Sequence, residues 1–230
     1  VYAFEMGEPD EKRSKNLSEY NVGMKASAMW LCLNWSIKTK HYDEEIEREV
    51  VINNEDIYAN NFLLNESEKK VKGNSSYSIL HFENLVQTFR AATQTKMKKT
   101  LASMYRKYIT SGDLVISWNG TPLEWKDFII RKTVDGQERK WPFKWKEVTQ
   151  KDTVILPAAT GFFGWLESAE DLRGPDKALG TSRMNAGLSV FRRNRMIYGF
   201  PDSWKPPEIY GEGGGRNDSA NQRIFGEIHL

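Results

Sequence analysis

The sequence predicts an α+β fold, and three observations lead to that prediction. Two stretches, 22–33 and 85–109, have the composition and apolar spacing of helices. The segments between and after them alternate apolar and polar residues, as half-buried strands do. Hydrophobic residues make up 39% of the 230 positions, which is enough for a chain of this length to bury a core.

The first part of the chain predicts a loop, a helix and three strands. "GEPDEKRSKNLSEY" (7–20) is polar, charged and rich in turn formers, so we expect a mobile loop. A helix over 22–33 follows, with a buried stripe at i, i+4, i+7 and i+11. The stripe consists of Val22, Ala26, Met29 and Leu33. "WSIKTKHY" and "EIEREVVINN" predict two strands, joined as a hairpin through Asp43 and Glu44, and "SYSILHFENL" (76–85) predicts a third.

The second part predicts one long helix and a set of mostly antiparallel strands. The helix covers "LVQTFRAATQTKMKKTLASMYRKYI" (85–109). "DLVISWNGTPL" predicts a strand that enters an Asn–Gly turn. Four further segments have the alternation of strands: "FIIRKTV", "TVILPAATGFFGWLE", "AGLSVFRRNRMIYGF" and "RIFGEIHL".

Composition excludes several classes of function. The net charge of +2, from 33 basic and 31 acidic residues, gives no case for a nucleic-acid or membrane surface. The single cysteine, Cys32, excludes an internal disulfide framework and a multi-cysteine metal site, and it lies in an apolar run as a small core residue. "AMWLCLNW" is too short to span a bilayer and no signal-peptide pattern opens the chain, so we expect a cytoplasmic protein without a membrane partner.

Most familiar catalytic and metal-binding patterns are missing from the sequence. His41, His81 and His229 are scattered over strand-like segments without metal-ligand spacing, so we predict no metal site. The glycine-rich "YGEGGGRNDS" (210–219) leads toward a strand and is interpreted as a hairpin connection, not a phosphate loop. The basic cluster "QTKMKK" (94–99) is interpreted as a solvated helix face.

One short pattern remains, a Gly–x–Lys at the start of the first helix. A helix N-terminus offers unpaired N–H groups and the positive end of the helix dipole, which together bind phosphate. Gly23 would allow close approach of the backbone and Lys25 would add a charge. The alternative is a capped amphipathic helix whose Lys25 meets only water.

The order of several motifs resembles the GHKL ATPases, which include gyrase, the ninety-kilodalton chaperone, histidine kinases and MutL. "EYNVGMKASAMWL" is similar to their G–x–G–x–K–x–(A/G) motif after the ATP lid, with Asn21 where the first glycine often stands. "SILHFENL" resembles the last strand of the ATPase domain. "LASMYRKYITSGDLVISWNGTPL", "AGLSVFRRNRMIYG" and "RIFGEIHL" resemble segments of the transducer domain. Among the members, the chain looks most like MORC-type proteins.

The resemblance implies two domains. Residues 1–85 would be the C-terminal part of a Bergerat-type ATPase α/β sandwich, with the lid at 7–21. Residues 86–230 would be a transducer domain, similar in fold to the second domain of ribosomal small-subunit protein five. The family's asparagine box and D–x–G–x–G box have no match in residues 1–230, so the general base is expected before Val1 and no catalytic residue is assigned.

The resemblance also implies a function. The intact protein would bind ATP with Mg²⁺, form a homodimer in response, and pass the nucleotide state to DNA or an effector protein, whereas this chain alone would be inactive as an ATPase. The predicted phosphate-binding residues are Asn21, Val22, Gly23, Met24, Lys25 and Ser27.

Two alternatives stay open beside this interpretation. The first is a module of the same fold that senses nucleotide without hydrolysing it. The second is a protein-binding or nucleic-acid-binding platform in which three arginines lie beside two aromatic rings. Those residues are Phe191, Arg192, Arg193, Arg195 and Tyr198.

Overall fold

A computed structural model describes residues 23–59, 61, 64–151, 153–211 and 220–230. The chain divides into two compact units, Val1–Arg90 and Ala91–Leu230, and each contains helices and sheets. The predicted α+β class is confirmed. The assignment of the units to an ATPase domain and a transducer domain stays a prediction, and the predicted lid at 7–21 lies outside the described residues.

The first unit contains a four-stranded antiparallel sheet and two helices. Its elements are α1 (Gly23–Leu31), β1 (Cys32–Lys40), β2 (Ile46–Asn53), α2 (Asn54–Tyr58), β3 (Asn65–Lys70) and β4 (Tyr77–Leu85). The strand order is β3-β2-β1-β4, and β1 pairs with β2 as a hairpin. The predicted hairpin and the predicted strand at 76–85 are therefore confirmed.

The predicted helix over 22–33 is too long at its C-terminal end. Helix α1 ends at Leu31, and Cys32 already pairs with Leu85 of β4. The apolar run that continues past this point belongs to β1, where a buried strand needs apolar residues as much as a helix does. A short apolar run does not distinguish the two structures.

The predicted buried stripe of α1 is also wrong. Ala26 and Leu33 are exposed, whereas Ala28 is 0% exposed and Met24 packs beside it. Residues 24 and 28 are four apart and share a face, so the helix is rotated relative to the prediction. Val22 lies outside the described residues.

The core of the first unit is built around one buried asparagine. Ala28, Cys32, Trp35 and Ile52 form its apolar cluster, which confirms Cys32 as a core residue. Asn54 is 0% exposed; its Nδ2 donates to the Cys32 carbonyl (2.7 Å) and its Oδ1 accepts from Trp35 Nε1 (3.1 Å). Burial raises the pKa of the Cys32 thiol.

The described residues of the second unit form a five-stranded sheet, two small two-stranded sheets, four α-helices and one 3-10 helix, Gly174–Leu179. Its elements are α3 (Ala91–Met104), α4 (Arg106–Ser111), β5 (Ser117–Trp118), β6 (Thr121–Pro122), β7 (Lys140–Trp145), β8 (Val148–Gln150), β9 (Thr153–Leu156), β10 (Ala159–Trp165), β11 (Gly187–Arg192), β12 (Arg195–Tyr198), α5 (Pro207–Tyr210), α6 (Ala220–Arg223) and β13 (Ile224–His229). The large sheet has the order β12-β11-β13-β10-β7. In this sheet three strand pairs are antiparallel and the β11–β13 pair is parallel, which agrees with the prediction of mostly antiparallel pairing.

One turn of the second unit follows the sequence closely, and another divides a segment that was predicted as a single strand. Asn119 and Gly120, between β5 and β6, both have positive φ (50° and 78°), as the Asn–Gly signal predicts. Arg193 and Asn194, between β11 and β12, also have positive φ (50° and 61°). The segment "AGLSVFRRNRMIYGF" is therefore a hairpin in the main sheet.

Further predicted features of the second unit differ from the structure. "TVILPAATGFFGWLE", predicted as one strand, divides into β9 and β10, which belong to different sheets. The helix predicted over 85–109 begins at Ala91 and is interrupted at Tyr105. "FIIRKTV" forms only isolated bridges, because its backbone N–H groups donate to scattered carbonyls and build no ladder. The connection at 210–219 falls mostly outside the described residues, and the short helix α6 precedes β13.

A buried ion pair joins α4 to the centre of the main sheet. Arg106 of α4 is 3% exposed, and its guanidinium donates to Oε1 of Glu227 on β13 at 2.9 Å. Lys107 lies 2.6 Å from the other carboxylate oxygen, and His229 lies 3.1 Å from it. The guanidinium also stacks over Phe191, 4.6 Å from the ring centre.

The charges around Glu227 control its ionisation. Burial alone would raise the pKa of this carboxyl. The hydrogen bond with His229 and the charges of Arg106 and Lys107 outweigh burial, so the pKa lies well below its ordinary value. Burial lowers the pKa of Arg106, and Glu227 opposes that effect.

Asn54→Ala should destabilise the first unit by about 3 kcal/mol, because it removes two buried hydrogen bonds, one from the Trp35 N–H and one to the Cys32 carbonyl. Urea denaturation followed by tryptophan fluorescence measures this loss. The matched control is Asn74→Ala at an exposed position, which should change the free energy of unfolding by less than about 0.5 kcal/mol. Equal effects of both substitutions would contradict the role of Asn54.

Glu227→Gln should lower the free energy of unfolding of the second unit by about 3 kcal/mol at pH 7, because it leaves the Arg106 charge buried and unpaired. A carboxyl whose pKa is lower in the folded state than in the unfolded state stabilises the protein fully above its unfolded pKa, about 4.3. This stabilisation disappears as pH falls toward the folded pKa. The difference between parent and variant should therefore shrink from pH 5 to pH 3 in urea titrations. Glu170→Gln, at an exposed position, is the control. A difference that stays constant with pH would overturn this account.

Candidate functional site

The described part of α1 begins at the position where the sequence predicts phosphate binding. It runs from Gly23 to Leu31, and Gly23 is exposed. A Cβ built on Gly23 would meet no described atom within 4 Å. The first N–H groups of a helix have no acceptor inside the helix and take partners outside it.

The ammonium group of Lys25 is buried and lacks a hydrogen-bond partner in the part of the chain that the structure describes. This differs from the alternative in which Lys25 meets only water. A buried donor without a partner costs stability, and a buried charge costs more. An anion held against Nζ would remove that cost.

The remaining predicted phosphate-binding residues divide into three groups. Met24 packs into the core cluster, so only its backbone faces the helix end. Ser27 is exposed, and helix geometry separates its side-chain direction from that of Lys25 by about 200°. Asn21 and Val22 lie outside the described residues. Gly23, Met24 and Lys25 thus share the first described turn of α1, and helix geometry does not bring Ser27 to the Lys25 side chain.

The C-terminal half of α1 is fixed against the sheet. The Cys32 thiol donates to the Ala28 carbonyl at 3.2 Å, and the Val86 N–H donates to the Leu31 carbonyl at 3.0 Å. Ala28 lies fully in the core, and Met24 packs against the same cluster from the first described turn. The sheet therefore determines the axis of the described helix.

The described residues offer no ligand set for Mg²⁺. They include no group of three or more His, Cys, Asp or Glu side chains that could hold a metal ion. Each histidine has a local neighbour instead: His81 lies 3.6 Å from Glu83, His229 is bound to Glu227, and His41 Nδ1 accepts from the Asp43 N–H at 3.4 Å. The histidines of the described residues therefore supply no cluster for a metal ion.

The predicted aromatic partner of a nucleic-acid platform is a core residue. Phe191 is 0% exposed and lies between the Arg106 guanidinium and the His229 ring, which stacks on it at 4.8 Å. It cannot stack on a base. Arg195 lies over the ring of Tyr105, at 5.7 Å, so it is also engaged within the unit.

Sequence reasoning missed a second group of cationic side chains. The cluster at 94–99, interpreted as a solvated face, carries Lys96 and Lys99, and the structure places both in a groove with Arg183 and Lys205. The i, i+3, i+4 and i+7 spacing of Ala92, Thr95, Lys96 and Lys99 could have indicated a shared wall. No local pattern indicates the two residues that complete the groove.

Comparison with known proteins gives similarity only at the level of structure. No protein-family model matches the chain, and no curated protein matches it. The ATPase region of Saccharomyces cerevisiae topoisomerase II bound to ICRF-187 (dexrazoxane) is similar with TM-score 0.46 and 8% identity, over 100% of this chain and 55% of that one. A second structure of the same region gives TM-score 0.45 and 10% identity, with the same coverage.

The ATPase domain of the mismatch repair endonuclease MutL from the bacterium Aquifex aeolicus is similar with TM-score 0.37 and 10% identity, over 90% of this chain and 72% of that one. The chain thus spans about half, 55%, of the topoisomerase structures it resembles. These similarities concern overall fold alone, and the proposals below depend on the chain's own residues. Among the described residues, no helix combines the length and apolar character needed to cross a membrane.

Lys25→Met should raise the free energy of unfolding by about 1 kcal/mol in the absence of any ligand, because it removes a buried donor without a partner and keeps the volume of the side chain. Thermal and urea denaturation measure the change. The control is Lys38→Met on β1, whose ammonium group lies 3.6 Å from Glu49, and it should be neutral or slightly destabilising. A clear loss of stability in Lys25→Met would mean that the ammonium group is satisfied in the folded protein.

Proposed function

We propose that the chain is part of an ATP-binding protein of the GHKL type, closest in look to MORC-type proteins, and that the N-terminus of α1 binds the terminal phosphates of the nucleotide. The observation that carries the proposal is the buried ammonium group of Lys25, in the first described turn of α1, without a hydrogen-bond partner among the described residues. A partnerless buried charge is costly, and such costs are typical of positions that a ligand completes.

Each phosphate-side residue would have a separate task. The N–H groups of Gly23 and Met24 would donate to phosphate oxygens, as free donors at a helix N-terminus do. Lys25 would neutralise the charge that develops on the terminal phosphate. Asn21 and Val22 precede this turn and would extend the row of backbone donors, and Ser27 would contact the ligand only from the opposite side of the helix.

The wider function rests on the sequence resemblance. In the intact protein, ATP with Mg²⁺ would supply the phosphoryl group that is hydrolysed, and binding would be coupled to homodimerisation and to a downstream effector, either DNA or protein. The first unit would be the partial ATP-binding domain (1–85) and the second the transducer domain (86–230).

A non-hydrolysing nucleotide sensor of the same fold is the second candidate. The sequence resemblance places the general base before Val1, so the residues of this chain do not decide between binding and turnover. Binding without turnover would need no general base next to the terminal phosphate.

Lys25→Ala in the intact protein should weaken binding of a non-hydrolysable ATP analogue by about tenfold to a hundredfold, the loss of one charge-assisted contact worth about 1.5–3 kcal/mol. ADP should be affected less, because the contact is made mainly to the terminal phosphate. Isothermal titration calorimetry measures both affinities. The matched control is Lys72→Ala, an exposed lysine of the same unit, which should leave them unchanged.

Equal affinity of Lys25→Ala and the parent would return Lys25 to a structural role and remove the proposed site. If Lys25→Ala weakens binding as expected, release of inorganic phosphate from ATP by the intact parent distinguishes the ATPase from the sensor. Steady release supports the ATPase, and analogue binding without release supports the sensor.

A further inference from the structure

The second unit contains a concave groove of about 780 Å³, within the size range of small-molecule pockets. One wall is the exposed face of α3. The other wall consists of residues near the start of β11 and those that follow β12. The whole groove lies within one unit, so its geometry does not depend on the first unit.

The wall formed by α3 carries two lysines and a threonine. Thr95, Lys96 and Lys99 lie on one face because their spacing matches the helical repeat. Lys96 is 3.5 Å from Asp202 across the groove. Lys99 is exposed and makes no ion pair with any residue that the structure describes.

The opposite wall holds two cations close together. The ammonium group of Lys205 donates to the Arg183 carbonyl at 2.7 Å and to the Asn221 carbonyl at 3.3 Å, which fixes its position. Burial lowers the pKa of Lys205, and the neighbouring positive charge of Arg183 lowers it further. Two positive groups are thus held near each other at an electrostatic cost that an anion between them would offset.

The groove has an excess of positive charge. Four of its lining side chains are cationic (Lys96, Lys99, Arg183, Lys205) and one, Asp202, is acidic, which leaves three positive charges. A phosphate monoester carries about 1.5 to 2 negative charges at neutral pH. Two phosphate groups therefore balance the excess. Ser203 and the half-exposed Tyr198 add hydroxyl groups to the lining.

We propose that this groove binds a small organic molecule carrying two or more phosphate groups. The concave shape favours a small molecule over a nucleic acid, because phosphate-backbone recognition uses a basic stripe that follows a strand. Arg183 offers the planar fork that suits phosphate oxygens, while the lysines act as point charges. The site is separate from the helix end proposed above and does not depend on the function proposed there.

The test uses inositol hexakisphosphate as the probe, titrated into the full chain by calorimetry at 150 mM NaCl. We expect saturable binding, weakened about tenfold or more in the double variant Lys99→Gln/Arg183→Gln. Both side chains are exposed and make no ion pair with a described residue, so the variant should fold as the parent does. Unchanged circular dichroism and thermal unfolding verify this.

The matched control is Lys144→Gln/Lys177→Gln, which removes the same charge from exposed positions of the same unit outside the groove. Its affinity should equal that of the parent, and Lys25→Ala should also leave binding of the probe unchanged. Absence of saturable binding overturns the proposal, and so does equal weakening in the control, which would indicate general charge attraction. Groove-dependent binding of a duplex oligonucleotide or of hexaglutamate, in place of the probe, would overturn it in favour of a nucleic-acid or acidic-peptide surface.

Discussion

The ion pair between Arg106 and Glu227 is the contact on which the second unit depends. It lies under α4, on β13, which forms the parallel pair of the main sheet with β11. The pair is nearly closed to water, so its attraction must offset a large desolvation cost. Lys107, His229 and the face of Phe191 complete it. Its specific contribution is orientation: it fixes the end of α3 against the sheet, and α3 then forms one wall of the cationic groove.

Two lysines of the first unit differ in a way that bears on function. Lys40 is 1% exposed, yet its ammonium group donates to three carbonyls, those of Gly73, Ser75 and His41, at 2.7, 3.0 and 3.3 Å. That lysine closes a loop and is satisfied. Lys25 is withdrawn from water without any such carbonyl among the described residues. The same unit therefore contains a structural buried lysine and one whose position lacks a structural explanation, and this contrast is what favours a ligand at Lys25.

The sequence predicted those parts of the fold that local chemistry determines. The turn at Asn119–Gly120 follows from residues that tolerate positive φ. The turn at Arg193–Asn194 was missed, because arginine carries no turn signal and the alternation continues across it. The phase of α1 was wrong because apolar residues surround this helix and continue into β1, so only the tertiary packing selects Ala28 over Ala26. The groove was missed for a different reason: Lys96 and Lys205 are distant in sequence, and only the fold brings them together.

The groove shows that a net charge of +2 does not exclude a local site for anions. Net charge sums over a whole surface, whereas binding responds to the local potential, which side chains in a concave site reinforce over a few ångströms. Near-neutrality argues against a broad basic face of the kind that holds nucleic acid. It does not argue against four cations that converge on one groove while Glu and Asp side chains balance the sum elsewhere. A nearly neutral protein with a compact, concave cationic site is suited to a small polyanion, since screening by salt weakens distant charges more than those in contact with the ligand.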